Sequence, residues 1–134
     1  MKTLKIKWQR LLSDGKTCPR CGNTEKEVGK AFSLLKRALS PLGIKIVLKK
    51  EKLSIRKFKK APLDSNQIWF NNKLLEDWIG ATTGRSPCCD VCGPTNCRTI
   101  KIKSKTYETI PTEFILKAGL MAAADLITAT QSMK

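Results

Sequence analysis

The 134-residue chain contains no histidine. No Ser–His arrangement for nucleophilic catalysis can therefore exist, and any metal site must be dominated by thiolates. Acidic residues are scarce, 11 against 26 Lys and Arg. No paired carboxylates suited to acid–base work and no glycine-rich phosphate loop stand out. No run of 18 apolar residues occurs, and Glu113, Lys117 and Asp125 interrupt the apolar C-terminal segment, so no membrane span is expected. The opening MKTLKIKWQR alternates charge and apolarity and lacks the continuous apolar core of a signal peptide. A cytoplasmic protein is the expectation. No unit repeats at solenoid spacing.

What is present suits a globular chain: 41% apolar and 28% charged residues. One domain over residues 1–134 is expected, large enough to bury a core without disulfides. The formal charge of +15 favours polyanions, whether nucleic acid, anionic lipid or an acidic protein. A solvated lysine-rich surface, of the kind enriched in thermophiles, gives the same count. The basic residues are spread along the chain without a recognisable nucleic-acid motif, so nucleic-acid binding is expected to be unspecific.

Leu4, Ile6 and Trp8 alternate with polar residues, which predicts a strand, and Ser13-Asp14-Gly15 a turn. Thr24 and Glu27 fit a capping box at the start of a helix. Its apolar face is Val28, Ala31, Phe32, Leu35, Ala38, Leu39 and Leu42, and Pro41 and Gly43 stop it. Ile44, Ile46 and Leu48 mark a second strand. A polar connection follows, with Leu53, Ile55 and Phe58 as candidate anchors. Gln67 to Phe70 and Lys73 to Glu76 read as a hairpin around Asn71-Asn72, because Asn tolerates positive φ. Residues 80–98 read as an irregular cysteine-rich loop, and Thr99 to Lys103 as a short extra strand. A last helix begins near Pro111, apolar nearly all round and therefore expected to be mostly buried. A helical crossover makes the first two strands parallel neighbours. The order β-α-β-β-β-α is thioredoxin-like: an α/β fold with a central four-stranded mixed sheet, flanking helices and the cysteine-rich loop before the C-terminal helix.

Six cysteines in a cytoplasmic chain point to catalysis or metal binding rather than structural disulfides. They fall in two groups, Cys18-Pro19-Arg20-Cys21 and Cys88, Cys89, Cys92 and Cys97. The segments TCPRCGNT, SNQIWFNNKLLEDWIGA, SPCCDVCGPTNCRT and YETIPTEFILKAGL resemble a prokaryotic family described as a domain of unknown function and grouped with thioredoxin-like folds. The resemblance spans most of the chain and implies that fold, with no activity attached. A broader similarity links CPRC and IWFNNKLLED to glutaredoxin-type proteins. There a cis-proline precedes the third strand; here Ser65-Asn66 stands in that place, with Pro62 several residues early, and the cysteine-rich loop replaces the glycine pair after the fourth strand.

Within such a fold both cysteine groups lie at one sheet edge. For thiol–disulfide exchange, Cys18 is the attacking thiol before a helix, where its thiolate is favoured, and Cys21 the resolving thiol. Arg20 adds to activation, and Cys88, Cys89, Cys92 and Cys97 form a relay. The partner is then a protein or small-molecule thiol or disulfide. For metal binding, Cys18, Cys21, Cys89 and Cys92 sit in two C-x-x-C-G knuckles suited to zinc or an iron–sulfur cluster, although their separation exceeds that of a usual zinc ribbon. A basic nucleic-acid-binding module is a third reading. Arg85 and Arg98 flank the loop, where they would steer an anion or lower thiol pKa values. Asp90 is the only acid between Gly80 and Cys97.

Overall fold

The computed structural model describes residues 2–11, 19–60, 66–87 and 96–132; at 11, 19–23, 55, 58–59, 86–87, 96–97 and 129–132 it describes the backbone alone. The turn at 13–15, Pro62, Ser65 and four cysteines (Cys18, Cys88, Cys89 and Cys92) lie outside the described residues.

Alternation builds the first strand as expected. In β1 (Lys2–Leu11), Leu4, Ile6 and Trp8 are buried, while Lys5 is exposed. Strand β2 (Ile44–Leu53) runs parallel beside it, with Ile46 opposite Leu4 and Leu48 opposite Ile6. Helix α1 (Pro19–Leu39) makes the crossover, burying Val28, Ala31, Leu35 and Leu39 at three- and four-residue spacing. A 3-10 turn at Ser40–Leu42 and Gly43 at φ 73° then stop it, where Pro41 and Gly43 signalled. Strand β3 (Gln67–Phe70) is antiparallel to β1. Asn71 and Asn72, at φ 51° and 68°, turn the chain into β4 (Lys73–Leu74). The result is a mixed four-stranded sheet in the order β2-β1-β3-β4.

Several elements depart from expectation. The return strand stops at Leu74, and Leu75 opens a short helix, α3 (Leu75–Ile79), capped by Gly80 at φ 72°. Leu75 is fully buried, and the Trp78 indole N–H donates to the Phe70 carbonyl at 3.0 Å. Folding back over β3 satisfies both better than continuing along the sheet edge. The connection after β2 contains a further helix, α2 (Ile55–Lys60). The Ser54 hydroxyl accepts the Lys57 amide at 3.2 Å, a local N-cap. Leu53 is buried, as its anchoring role required.

Much of the expected irregular loop is a hairpin. Strands β5 (Thr82–Pro87) and β6 (Asn96–Ile102) pair antiparallel, with β7 (Lys105–Tyr107) beyond, forming a second sheet in the order β5-β6-β7. The extra strand expected at Thr99 lies within β6. Gly84 stands opposite Thr99, and a Cβ there would come within 2.6 Å of the Thr99 Oγ1, so the close pairing needs glycine.

Helix α4 (Thr112–Ser132) packs beside α1 on the core face of the four-stranded sheet. It buries Ile115, Ala118, Ala122 and Ala123 but leaves Leu120 and Met121 48% and 41% exposed, so it is not buried all round. Small residues let the helices approach closely: a Cβ on Gly119 would fall 2.6 Å from a Leu35 methyl. No described helix is long and apolar enough to cross a membrane.

The capping box at Thr24 and Glu27 is not formed. Helix α1 starts earlier, at Pro19, whose missing N–H is not needed in a first turn. Glu27 instead caps α4. Its carboxylate accepts the Thr112 amide and its backbone carbonyl accepts the Thr112 hydroxyl, each at 3.4 Å. Burial pulls the Glu27 carboxyl upward, but Lys30, 3.3 Å away, and the Thr112 amide outweigh it and hold the pKa below the usual value. A depressed folded-state pKa stabilises above the unfolded value and loses that stabilisation as pH falls through the folded one. E27Q should therefore lower stability by about 0.5–1 kcal/mol at pH 7. The difference should shrink as pH drops below the usual glutamate range, measured by urea unfolding across pH.

Candidate functional site

The polar interior centres on Asn66, the residue before β3. It is 3% exposed and left-handed at φ 54°, a conformation that Asn tolerates and β-branched residues do not. Its carbonyl oxygen accepts the Trp8 indole N–H at 3.1 Å, and its amide donates to the Thr24 hydroxyl at 3.2 Å. The same hydroxyl accepts the Ile110 amide at 3.3 Å. One side chain thus joins β1, the second turn of α1, the start of β3 and the segment leading into α4.

A second cluster lies next to it. Glu76 of α3 and Arg98 of β6 form an ion pair whose side chains are 4% and 6% exposed. Arg98 Nε and Nη2 both donate to Glu76 Oε2, the former at 3.0 Å. The Thr83 hydroxyl donates to the same oxygen and accepts from Arg98 Nη2, each at 2.9 Å. The pair locks the base of the β5–β6 hairpin onto α3. Asn66, Arg98 and Thr99 line one small cleft with Tyr107, Glu108 and Ile110. The Thr99 hydroxyl is buried there without a hydrogen-bond partner among the described residues.

The sequence-predicted residues can now be placed. Arg20 and Cys21 are in the first turn of α1, described by backbone alone. Cys97 is the second residue of β6, opposite Ser86. Arg85 is exposed on β5, opposite Arg98. Arg98 is not an exposed steering charge, because its guanidinium is held by Glu76. Cys18 immediately precedes α1, and Cys88, Cys89 and Cys92 fall within 88–95, which joins β5 to β6; these four lie outside the described residues. Sequence reasoning missed Glu76 and gave Asn66 no role. Glu76 carried a faint signal, a carboxylate inside the apolar run LLEDWIG.

Residues just after each cysteine group come together around Asn66. Thr24, bonded to it, lies three residues or about 4.5 Å of helix from Cys21. Thr99, which shares its cleft, lies two residues or about 7 Å of strand from Cys97.

Residues 4–119, from β1 to the middle of α4, match a family described as a domain of unknown function, DUF2703. The chain belongs to that family. An uncharacterised protein of Archaeoglobus fulgidus is 46% identical over 112 residues, 84% of this chain and 82% of that one. No solved structure matches the chain. The DUF2703 match takes in both cysteine groups, the Asn66 bonds and the Glu76–Arg98 pair.

Two outcomes test this geometry. Asn66→Gly keeps the left-handed backbone but strands the Trp8 N–H, and should cost about 1–3 kcal/mol. Asn66→Ala adds backbone strain and should cost about 1 kcal/mol more, as read by urea denaturation. Arg98→Met leaves the Glu76 charge buried without its partner and should cost about 3–5 kcal/mol, much of it recovered in Glu76→Leu/Arg98→Met.

Proposed function

We propose that this protein is a thioredoxin-like thiol–disulfide exchange protein of the cytoplasm. The observation that carries this reading is the start of α1 at Pro19, directly behind β1 in a β2-β1-β3-β4 sheet with β1 and β2 parallel and β3 reversed. Cys18 is then the residue before a helix of 21 residues, and Cys21 lies in its first turn.

The chemistry follows from that position. Free amides and the helix dipole at an N-terminus favour a thiolate. No acidic residue in the first turn opposes it, and Arg20 adds a positive charge. The Cys18 thiolate attacks one sulfur of a partner disulfide, and the other sulfur leaves with the bonding electrons. The Cys21 thiolate then attacks Cys18 in the mixed disulfide and releases the second partner thiol. Two electrons have passed to the partner, and Cys18–Cys21 is oxidised. Two thiols among Cys88, Cys89, Cys92 and Cys97 serve as the relay: they reduce the Cys18–Cys21 disulfide by the same exchange and become a disulfide themselves, which an external small-molecule thiol then reduces at the cost of its own oxidation to a disulfide. The juxtaposition of Thr24 and Thr99 around Asn66 supports contact between the two groups. The partner is a protein or small-molecule disulfide.

A second reading rests on the same juxtaposition. Cys18, Cys21, Cys89 and Cys92 offer four thiolates in two C-x-x-C-G segments, a donor set that suits zinc or an iron–sulfur cluster in a chain without histidine. A bound metal would tie the start of α1 to the hairpin.

Alkylation kinetics separate the two. With exchange as the function, a limiting alkylating reagent labels Cys18 first, with or without chelator. Cys18→Ser folds normally and loses disulfide reduction, whereas Cys97→Ser loses less. With metal binding as the function, the four ligand cysteines resist alkylation until chelator is added, one zinc is bound per chain, and loss of any ligand lowers stability.

A further inference from the structure

The four-stranded sheet has a second face. Residues paired in register share a side, so the rows opposite the core can be read directly: Lys45 with Thr3, Val47 with Lys5, Lys49 with Lys7 and Trp69, and Glu51 with Gln9 and Gln67. Helices α1 and α4 both pack on the other side, against Leu4, Ile6, Trp8 and Phe70. Among the described residues this outer face is open along Lys5, Lys45, Val47 and Lys49 and closes toward its far end, where Leu53, paired with Leu11, is buried. Lys5, Lys45 and Lys49 are exposed, Val47 is 41% exposed, and Lys5, Lys7, Val47, Lys49 and Asn72 line a shallow groove.

Its chemistry is that of a polyanion track with an aromatic at one side. Four lysines face one carboxylate, Glu51, which sits 3.3 Å from Lys49. The lysines form two lines, Lys5 and Lys7 about 7 Å apart along β1, and Lys45 and Lys49 about 13 Å apart along β2. Lines of cations suit a chain of phosphates, whereas a single phosphate group needs donors converging on one point. The Lys7 ammonium lies 4.5 Å from the centre of the half-buried Trp69 ring. A ring on an open sheet can stack an unpaired base. A duplex offers no free base face, and a run of carboxylates has no planar group to stack on the ring.

We infer that this outer face binds single-stranded nucleic acid without base-sequence selection, phosphates along Lys5, Lys7, Lys45 and Lys49 and a base against Trp69. This is independent of the cysteine chemistry. Nothing in it reads base edges, so affinity rests on counterion release and stacking.

The test is fluorescence anisotropy on the full chain, with labelled 15-nucleotide poly(dT), a duplex of equal length and a poly-glutamate peptide, at low and physiological salt. Expected are tighter binding of the single strand than of the duplex and a steep loss of affinity with salt. K7E/K49E should weaken binding by about tenfold or more, and K36E/R37E, with the same charge change on exposed positions of α1, by far less. W69A should weaken it by about fivefold or more, and binding should quench tryptophan emission in the wild type but not in W69F. Equal losses from the two charge reversals would overturn the assignment of the face. Unchanged binding by W69A, or tighter binding of the duplex, would overturn the single-strand assignment. Preference for poly-glutamate would make the partner an acidic protein.

Discussion

The structure depends on where the Trp8 indole N–H finds its acceptor. Trp8 is fully buried in the middle of the core strand β1, so its N–H must be bonded inside the protein. Asn66 supplies that oxygen, and in doing so its amide is aimed at Thr24. The Thr24 hydroxyl in turn accepts from Ile110. These contacts join residues 58, 42 and 86 positions apart. An indole in β1 thus sets the backbone before β3, the docking of α1 and the approach to α4. The left-handed φ of Asn66 belongs to the same constraint, since it lets one side chain face both partners.

The Glu76–Arg98 pair extends this frame to the second sheet. Burying two charges costs several kcal/mol each before attraction offsets it. Three bonds on one carboxylate oxygen, from Arg98 twice and Thr83 once, provide much of that offset. Such a pair is a weak source of stability and a strong source of position. It fixes the root of the β5–β6 hairpin, so the backbone at Cys97 is held by a residue one step away. The cysteine-bearing segments therefore emerge from two rigid roots, Thr24 with Asn66 on one side and Arg98 with Glu76 on the other.

Local signals carried the four-stranded sheet. Period-two alternation exposed β1 and β2, the Asn71-Asn72 pair exposed the turn, and Pro41 with Gly43 exposed the end of α1. What stayed hidden was decided by distant partners. Thr24 and Glu27 look like a capping box because the pattern is local; Asn66, Ile110 and Thr112 claim both side chains from far along the chain. Leu75 and Glu76 look like strand because LLE is apolar enough; Phe70 and Arg98 draw the segment into a helix instead. Strands β5 and β6 hold glycine, proline and cysteine, residues that signal a loop, and pair mainly with each other. In α4 the apolar residues outnumber the contacts available, so Gly119 faces α1 and Ala118, Ala122 and Ala123 are buried while Leu120 and Met121 face out. The cysteines themselves were legible as candidates; the Asn66 hub that their flanks share was not.

The charge of the chain divides into parts that act separately. At physiological salt the screening length is about 8 Å. Lys7 lies four residues, about 13 Å of strand, from the end of β1 where the thiol chemistry is proposed, and Lys5 farther still. Arg10 is nearer, but its guanidinium is held 5.2 Å from the Trp8 ring centre and donates to the Glu51 carbonyl at 3.0 Å. The lysines of the outer face are therefore not what would activate a thiol there. In the proposed exchange that task falls to the N-terminal amides of α1 and to Arg20, next to Cys21 in sequence. The lysines of the outer face act on ligands that reach them directly. Because β-strand side chains alternate, the same four strands can bury one row against α1 and α4 and offer the other to a polyanion. The proposed thiol chemistry, at the strand ends, would then belong to neither face, and each proposed activity could be altered without disturbing the other.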